Sequence, residues 1–264
     1  MKSIGPLSLS LGLAAGAVAA ETAHERGKRV VLEALEAAGG RAYLAMHDRV
    51  ESGRAYSFFR QELQGLDIAR IYTRYLAPVP GKPSVRERQS FGKDESNGVL
   101  FNQDGAWEIT FRGARLLEPK RIDNWRDGTL RSVFYILRQR LDEPAMDFYS
   151  RGSDRYENLA VEIVDITDAN GLTVTVYFSQ SNKLPVRQLL KRRNPEYKDF
   201  DTEETLFAKY RDVGGGVKWP YTIRRSRNGE KLYEIYSESV QINKNLKDDL
   251  FTLPAKLPIL PPAK

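Results

Sequence analysis

The sequence predicts an α+β chain, mainly β, in which an antiparallel meander sheet packs against a few helices. Three observations carry this. From Phe148 to Asn243 seven strand-length segments follow one another at a spacing of roughly 10–14 residues, joined by short loops. The joining stretches "DANG", "SQSNKL", "GGG" and "RNGE" are turn chemistry. A single stretch, Ile122 to Leu141, breaks the strand pattern with a helical one: Leu130, Val133, Phe134, Leu137 and Leu141 recur at the spacing of one helix face.

Taken in order, the chain begins with Met1 and Lys2, then "IGPLSLSLGLAAGAVAA", uncharged until Glu21. That apolar stretch is too short for a membrane span of about 20 residues. Val18 and Ala20 suit the small-residue positions before a signal-peptidase cut, so residues 1–20 are expected to be a cleaved secretory signal and not part of the fold. "HERGKRVVLEALEAAGG" reads as a helix with Val31, Leu35 and Ala38 on one stripe, stopped by Gly39 and Gly40. A short second helix fits Arg41 to Met46. "GRAYSFFRQEL" is strand-like, with Tyr56 and Phe58 on one face. "LDIARIYTRYL" fits either period, and its β-branched and aromatic content favours a strand. "APVPGKPS" is a loop. Short strands follow, with Asp104-Gly105 as a hairpin turn. After the helical stretch come strands at Phe148 to Tyr156, Leu159 to Thr167, Gly171 to Ser179, Pro185 to Arg193, Thr205 to Val213, Val217 to Arg225 and Leu232 to Asn243. Val217, Trp219, Tyr221 and Ile223 make an apolar face, and Pro220 between them suggests an edge or a bulge. No composition shift marks a domain boundary within residues 21–254, and residues 255–264 form a proline-rich extended tail.

Composition narrows the chemistry. Apolar residues are 41% and charged residues 29%, a globular balance. There is no cysteine, hence no disulfide framework and no thiol chemistry; with the leader, this fits a periplasmic address. The net charge of +6 is compatible with attraction to anionic membrane surfaces. The two histidines, His24 and His47, have no metal-ligand spacing. No nucleophile-elbow, zinc-protease or phosphate-loop motif occurs, so no catalytic residue, metal or cofactor is expected. Asp199 and Asp201 make a weak calcium signal that a solvated hairpin explains better. The basic runs "KRRN" and "RRSRNGEK" lie at strand ends and turns, where solvent or a lipid headgroup is their partner; with a secretory leader, nucleic acid is not expected.

Four stretches, in order, carry a resemblance. "NQDGAWEI" is similar to the aspartate-glycine-tryptophan hairpin of the periplasmic lipoprotein carriers that sort outer-membrane lipoproteins, the LolA-like family. "VTVYFSQSNKLPVRQLLKR" resembles that family's strand, turn and "P-x-R" return strand. "LFAKYRDVGGGVKWPYTIRR" resembles its "F-x-x-Y" strand, glycine turn and following strand. "YEIYSESVQINKNLKDDLFTLP" looks like its closing strand. The resemblance spans Ala23 to Pro254. It implies an incomplete antiparallel β-barrel, a curved meander sheet with helices as lid or plug over an apolar cavity that holds acyl chains. The helices near 24–38 and Ile122–Leu141 would be the lid. Partners would be lipid or acylated protein cargo, an inner-membrane transporter and an outer-membrane acceptor. This chain departs from the carriers in its length, the loop Ala77–Ser84 and the tail.

Periodicity alone leaves two arrangements open: helix and sheet filling one core, or a void between them. With the resemblance, the expectation is a ligand-binding cavity lined by Phe58, Phe101, Trp107, Ile109, Phe111, Leu130, Val133, Phe134, Leu137, Val174, Val176, Phe178, Trp219 and Tyr221. The expected function is a soluble periplasmic carrier or binder of lipid or lipidated protein. The alternative is a non-enzymatic envelope sensor or protein-interaction module on the same fold, with a filled core.

Overall fold

A computed structural model describes residues 20–262, except 104, 195 and 196. The expected leader, apart from Ala20, and Asp104 of the expected hairpin turn lie outside the described residues. The first helix, α1 (Ala23–Ala37), starts where its chemistry says it should. Thr22 accepts from the Glu25 amide at 3.2 Å, and the Glu25 carboxylate accepts from the Thr22 amide at 2.8 Å, a reciprocal cap. Val30, Val31, Ala34 and Leu35 are buried along one side. Gly39 ends the helix at φ +124°, a conformation that favours glycine. The short α2 (Gly40–Ala45) follows.

Among the described residues, thirteen strands form one antiparallel sheet that does not close. They are β1 (Asp48–Phe59), β2 (Glu62–Tyr75), β3 (Val85–Phe91), β4 (Asn97–Asn102), β5 (Gly105–Thr110), β6 (Gly113–Leu116), β7 (Asp147–Tyr156), β8 (Leu159–Thr167), β9 (Thr173–Ser179), β10 (Pro185–Arg193), β11 (Phe200–Asp212), β12 (Lys218–Arg227) and β13 (Glu230–Ile242). The spatial order runs β6 through β1, then β13 back to β7. Two meanders are thus zipped together where β13 pairs with β1, and the segment 117–146 runs from one edge strand of the sheet to the other. The incomplete barrel and the seven-strand meander of the sequence reading are both present, and the ambiguous "LDIARIYTRYL" is strand.

One sequence expectation needs correcting. The helix expected over Ile122–Leu141 is two pieces: α3 (Pro119–Leu130), then α4 (Val133–Tyr135) running into a π-helical turn at Ile136–Arg140. The break at Arg131-Ser132 is satisfied by side chains. Arg140 donates to the Leu130 carbonyl at 2.6 Å, and the Val133 amide donates to the Gln188 side chain at 3.0 Å. Those are the orphan groups a helix interruption creates. Pro220, expected at an edge or a bulge, lies in β12, which sits between β11 and β13 in the sheet but has no β13 partner at that position. The β12–β13 register begins only at Thr222, so the missing proline N–H interrupts no bond to β13.

The inner face of the sheet packs against α1 and the 133–141 segment. Val31, Leu35, Phe134, Leu137, Val174, Val176, Phe178, Phe207 and Trp219 belong to that cluster. The outer face of the β6 half is covered by the chain after β13. Buried Asp48 accepts from the amides of Lys244 and Leu246 at 2.7 and 3.0 Å and turns that segment over the sheet edge. Phe251 then packs on Leu100, Ile109 and Trp107. The proline-rich tail docks too: the Ala114 amide donates to Pro258 at 2.8 Å and Leu260 donates to Ala114 at 2.7 Å, alongside β6. It covers an edge strand that would otherwise present unpaired backbone groups.

Candidate functional site: a roofed cavity on the inner face

Strand parity decides which residues meet. In β3, "VRERQSF" sends Val85, Glu87 and Gln89 to the inner face and Arg86 and Arg88 to the outer one. In β1 the inner positions are Arg49 and Glu51; in β2, Ile71, Thr73 and Tyr75; in β12, Trp219, Ile223 and Arg225. Together they bound a cavity of about 370 Å³, at the lower end of the roughly 300–1,000 Å³ of small-molecule sites. It lies between three packed groups: the main core at Phe134, Phe207 and Trp219; a small cluster of Ala55, Ala69 and Ile235; and the contact of Phe101 with α3.

The roof is α3, through Asn124, Trp125, Gly128 and Thr129. No residue of α3 is fully buried. It is held by the stacking of Trp125 on Phe101, ring centroids 4.4 Å apart and nearly parallel, with Ile122 alongside. Arg192 of β10 adds an ion pair to Asp127 at 2.9 Å. The following segment is far better anchored. Arg138 donates twice to the Met46 carbonyl, at 3.0 and 2.6 Å, and Tyr43 donates to the Phe134 carbonyl at 2.7 Å. A firmly anchored segment therefore follows a lightly seated roof.

The cavity lining is mixed: Ile71, Phe207, Ile223 and Ile235 are apolar, Arg49 and Glu51 form a charged floor, and Glu87, Arg192, Glu203 and Glu204 also line it. Arg49, 7% exposed, has its guanidinium carbon over the Trp219 ring, 3.8 Å from the centroid. Its terminal nitrogens donate to the hydroxyls of Thr73 at 3.2 Å and Tyr75 at 3.4 Å. Glu51, 2% exposed, accepts from Ser237 at 2.5 Å and from the Trp219 indole at 3.3 Å. Burial raises the Tyr75 hydroxyl above its usual pKa, while Arg49 and Arg138 pull the other way. At the mouth, Arg225 and Arg227 are exposed and Leu232 is 37% exposed.

Of the residues expected from sequence to line a cavity, Phe134 and Trp219 do, their rings 4.7 Å apart. Val133, Leu137, Val174, Val176, Phe178 and Tyr221 are packed in the main core, each 9% exposed or less. Phe101 supports the roof. Trp107 and Ile109 face outward beneath the Phe251 segment, because β5 turns its odd positions to the opposite side from Phe101. Phe111 sits in the β5–β6 turn, 76% exposed. Leu130 is half-buried at the end of α3, and Phe58 half-buried at the end of β1 beneath Lys231. The polar floor was missed. Its signal was the parity of Arg49, Glu51, Thr73 and Glu87 with apolar neighbours on the same faces. Among the described residues no group of His, Asp and Glu side chains is arranged to hold a metal ion. Nor is any helix there long and apolar enough to cross a membrane.

No protein-family model and no curated protein matches the chain. Solved structures do. A DUF1329 family protein from Desulfovibrio piger superposes with a TM-score of 0.60 at 12% identity, covering 88% of this chain and 98% of that one. A putative outer membrane lipoprotein-sorting protein domain from Vibrio parahaemolyticus gives 0.56 at 12% identity, with 87% and 97% covered. A LolA superfamily protein from Nitrosomonas europaea gives 0.52 at 9% identity, with 86% and 97% covered. The open sheet wrapped on helices is thus a LolA-like fold, as the sequence resemblance implied.

Proposed function

We propose that this chain is an exported, periplasmic binder or carrier of a single amphipathic acyl chain, free or attached to a protein, held between the inner face of the sheet and α3. The observation that carries this reading is the roof: a helix with no fully buried residue lies over a cavity of about 370 Å³. Burying one acyl methylene is worth about 0.8 kcal/mol. A ten-carbon chain thus supplies enough gross binding energy to displace a roof held by one aromatic stack and the ion pairs Arg192–Asp127 and Arg121–Glu108. The reading requires no catalytic residue. The secretory character of residues 1–20 and the likeness to lipoprotein-sorting folds support the periplasmic address and a role in traffic towards the outer membrane.

The test is uptake of decanoate, followed by titration calorimetry, on the chain and on Thr205→Trp. Thr205 lies on the cavity wall, so the indole would fill the space. One saturable site, lost in the variant, is expected. Binding that the variant leaves intact would place the ligand elsewhere. The filled core around Val174, Val176 and Phe178 favours a second reading, a protein-binding envelope module, which an absence of any uptake would support.

A further inference from the structure

We infer that the cavity takes its ligand head-down, with an anionic oxygen of the head group, carboxylate or phosphate, bound by the Arg49 guanidinium at the floor. The inference rests on the cavity reading above and adds the class of ligand. A cavity meant for hydrocarbon alone has no use for a buried cation, which is costly to desolvate unless paired and hydrogen-bonded. Arg49 has an ion pair, but a long one, and few hydrogen bonds. Its nearest carboxylate, Glu51, is 3.8 Å from Nε, beyond hydrogen-bond distance, and Nε has no acceptor. Glu51 spends its oxygens on Ser237 and Trp219 instead. Of the five N–H donors of a guanidinium, the two bonds made go to neutral hydroxyls, and both are long. The Trp219 ring lies against the guanidinium carbon, and the N–H groups without an acceptor, Nε among them, remain for a planar or tetrahedral anion. Ile71, Ile223 and Phe207 give the lining an apolar strip that suits the chain of such a ligand, and the carboxylates Glu87, Glu203 and Glu204 elsewhere on it leave Arg49 as the cation at the floor.

The experiment is a calorimetric comparison of decanoate, decyl phosphate and decanol, which share one chain length. A hydrogen bond to a charged group predicts at least about tenfold tighter binding of an anion than of the alcohol. Whichever anion leads identifies the head group as carboxylate or phosphate, and either lead supports the inference. Because Arg49→Met alone would leave Glu51 unpaired, the companion variant is Arg49→Met with Glu51→Gln. In it the ratio of anion to alcohol affinity should fall to about one, and Arg49→Lys should recover part of it. Equal affinity for decanoate, decyl phosphate and decanol in the unaltered chain would overturn the head-down assignment and leave the cavity reading standing. An anion preference that survives the double variant would overturn the role of Arg49 and move it to the mouth arginines. Failure of all three probes to bind would remove the cavity reading itself.

Discussion

Trp125 and Phe101 meet as one stacked pair, the main aromatic contact that seats the roof. An aromatic pair adds about 0.5–1.5 kcal/mol beyond its buried area. Trp125→Ala should therefore speed release of a bound acyl probe by roughly 2- to 12-fold, with little change in thermal midpoint, since α3 contributes no fully buried side chain to the core. Stopped-flow dilution of the loaded protein reads the rate. A release rate unchanged by the substitution would mean that α3 is not the exit. Phe101 was legible in the sequence as an inward-facing aromatic; Trp125 was not, because the helical stripe drawn through Leu130 and Val133 lies off its side of the helix. Residue parity explains both the successes and the failures. Val174, Val176 and Phe178 share one face as read, but nothing in an alternating pattern tells whether the opposing layer is a packed helix or open space. Here α1 fills it.

The elements were more legible than the residues, because turn chemistry and periodicity are local. The meander of β7 to β13 follows from its turns. The break inside Ile122–Leu141 does not, because it depends on Gln188 reaching it from β10 and on Arg140 folding back to the Leu130 carbonyl, bonds that no local period encodes. Two element contacts make sharp predictions. Helix α1 crosses β7 at Gly27, where an added Cβ would stand 2.3 Å from the Phe148 carbonyl oxygen and 2.9 Å from the Ser150 amide. Both obstacles are backbone, so Gly27→Ala should cost about 1–3 kcal/mol and lower the thermal midpoint by roughly 2–12 °C. A midpoint within a degree of the unaltered chain would show that α1 can ride further from the sheet. The tail makes the other prediction. Removing residues 255–264 takes away the Pro258 and Leu260 bonds to Ala114 and the Leu257 contact with the outer cluster. The Ala114 amide should then lose its protection from hydrogen exchange, and the opened β6 edge should promote association at high concentration. Unchanged exchange at Ala114 would mean that the tail does not hold that edge.

At the scale of the whole molecule, an open sheet closes around its own helices over one half and leaves room over the other. Burial on the inner face has a consequence at alkaline pH. Tyr43 and Tyr210 are held well above the ordinary tyrosine range by burial, and Tyr233 is raised to about 12 for the same reason. An unfolded tyrosine ionises near 10. Between those values the unfolded chain has released protons that the folded chain keeps, so stability is intact below about pH 10 and falls as pH rises towards 12. Spectrophotometric titration should show a late-ionising group of tyrosines released together with unfolding; ionisation of all thirteen tyrosines near pH 10 without loss of structure would contradict the packed inner face. The central claim is that the remaining space holds one amphipathic chain. Native mass spectrometry of the protein without residues 1–20, with increasing decanoate, tests it most directly, beside the Thr205→Trp variant. A single adduct that saturates at one ligand per chain and is missing from the variant is the result predicted. Adducts that accumulate without saturation, or equally in both proteins, would contradict it.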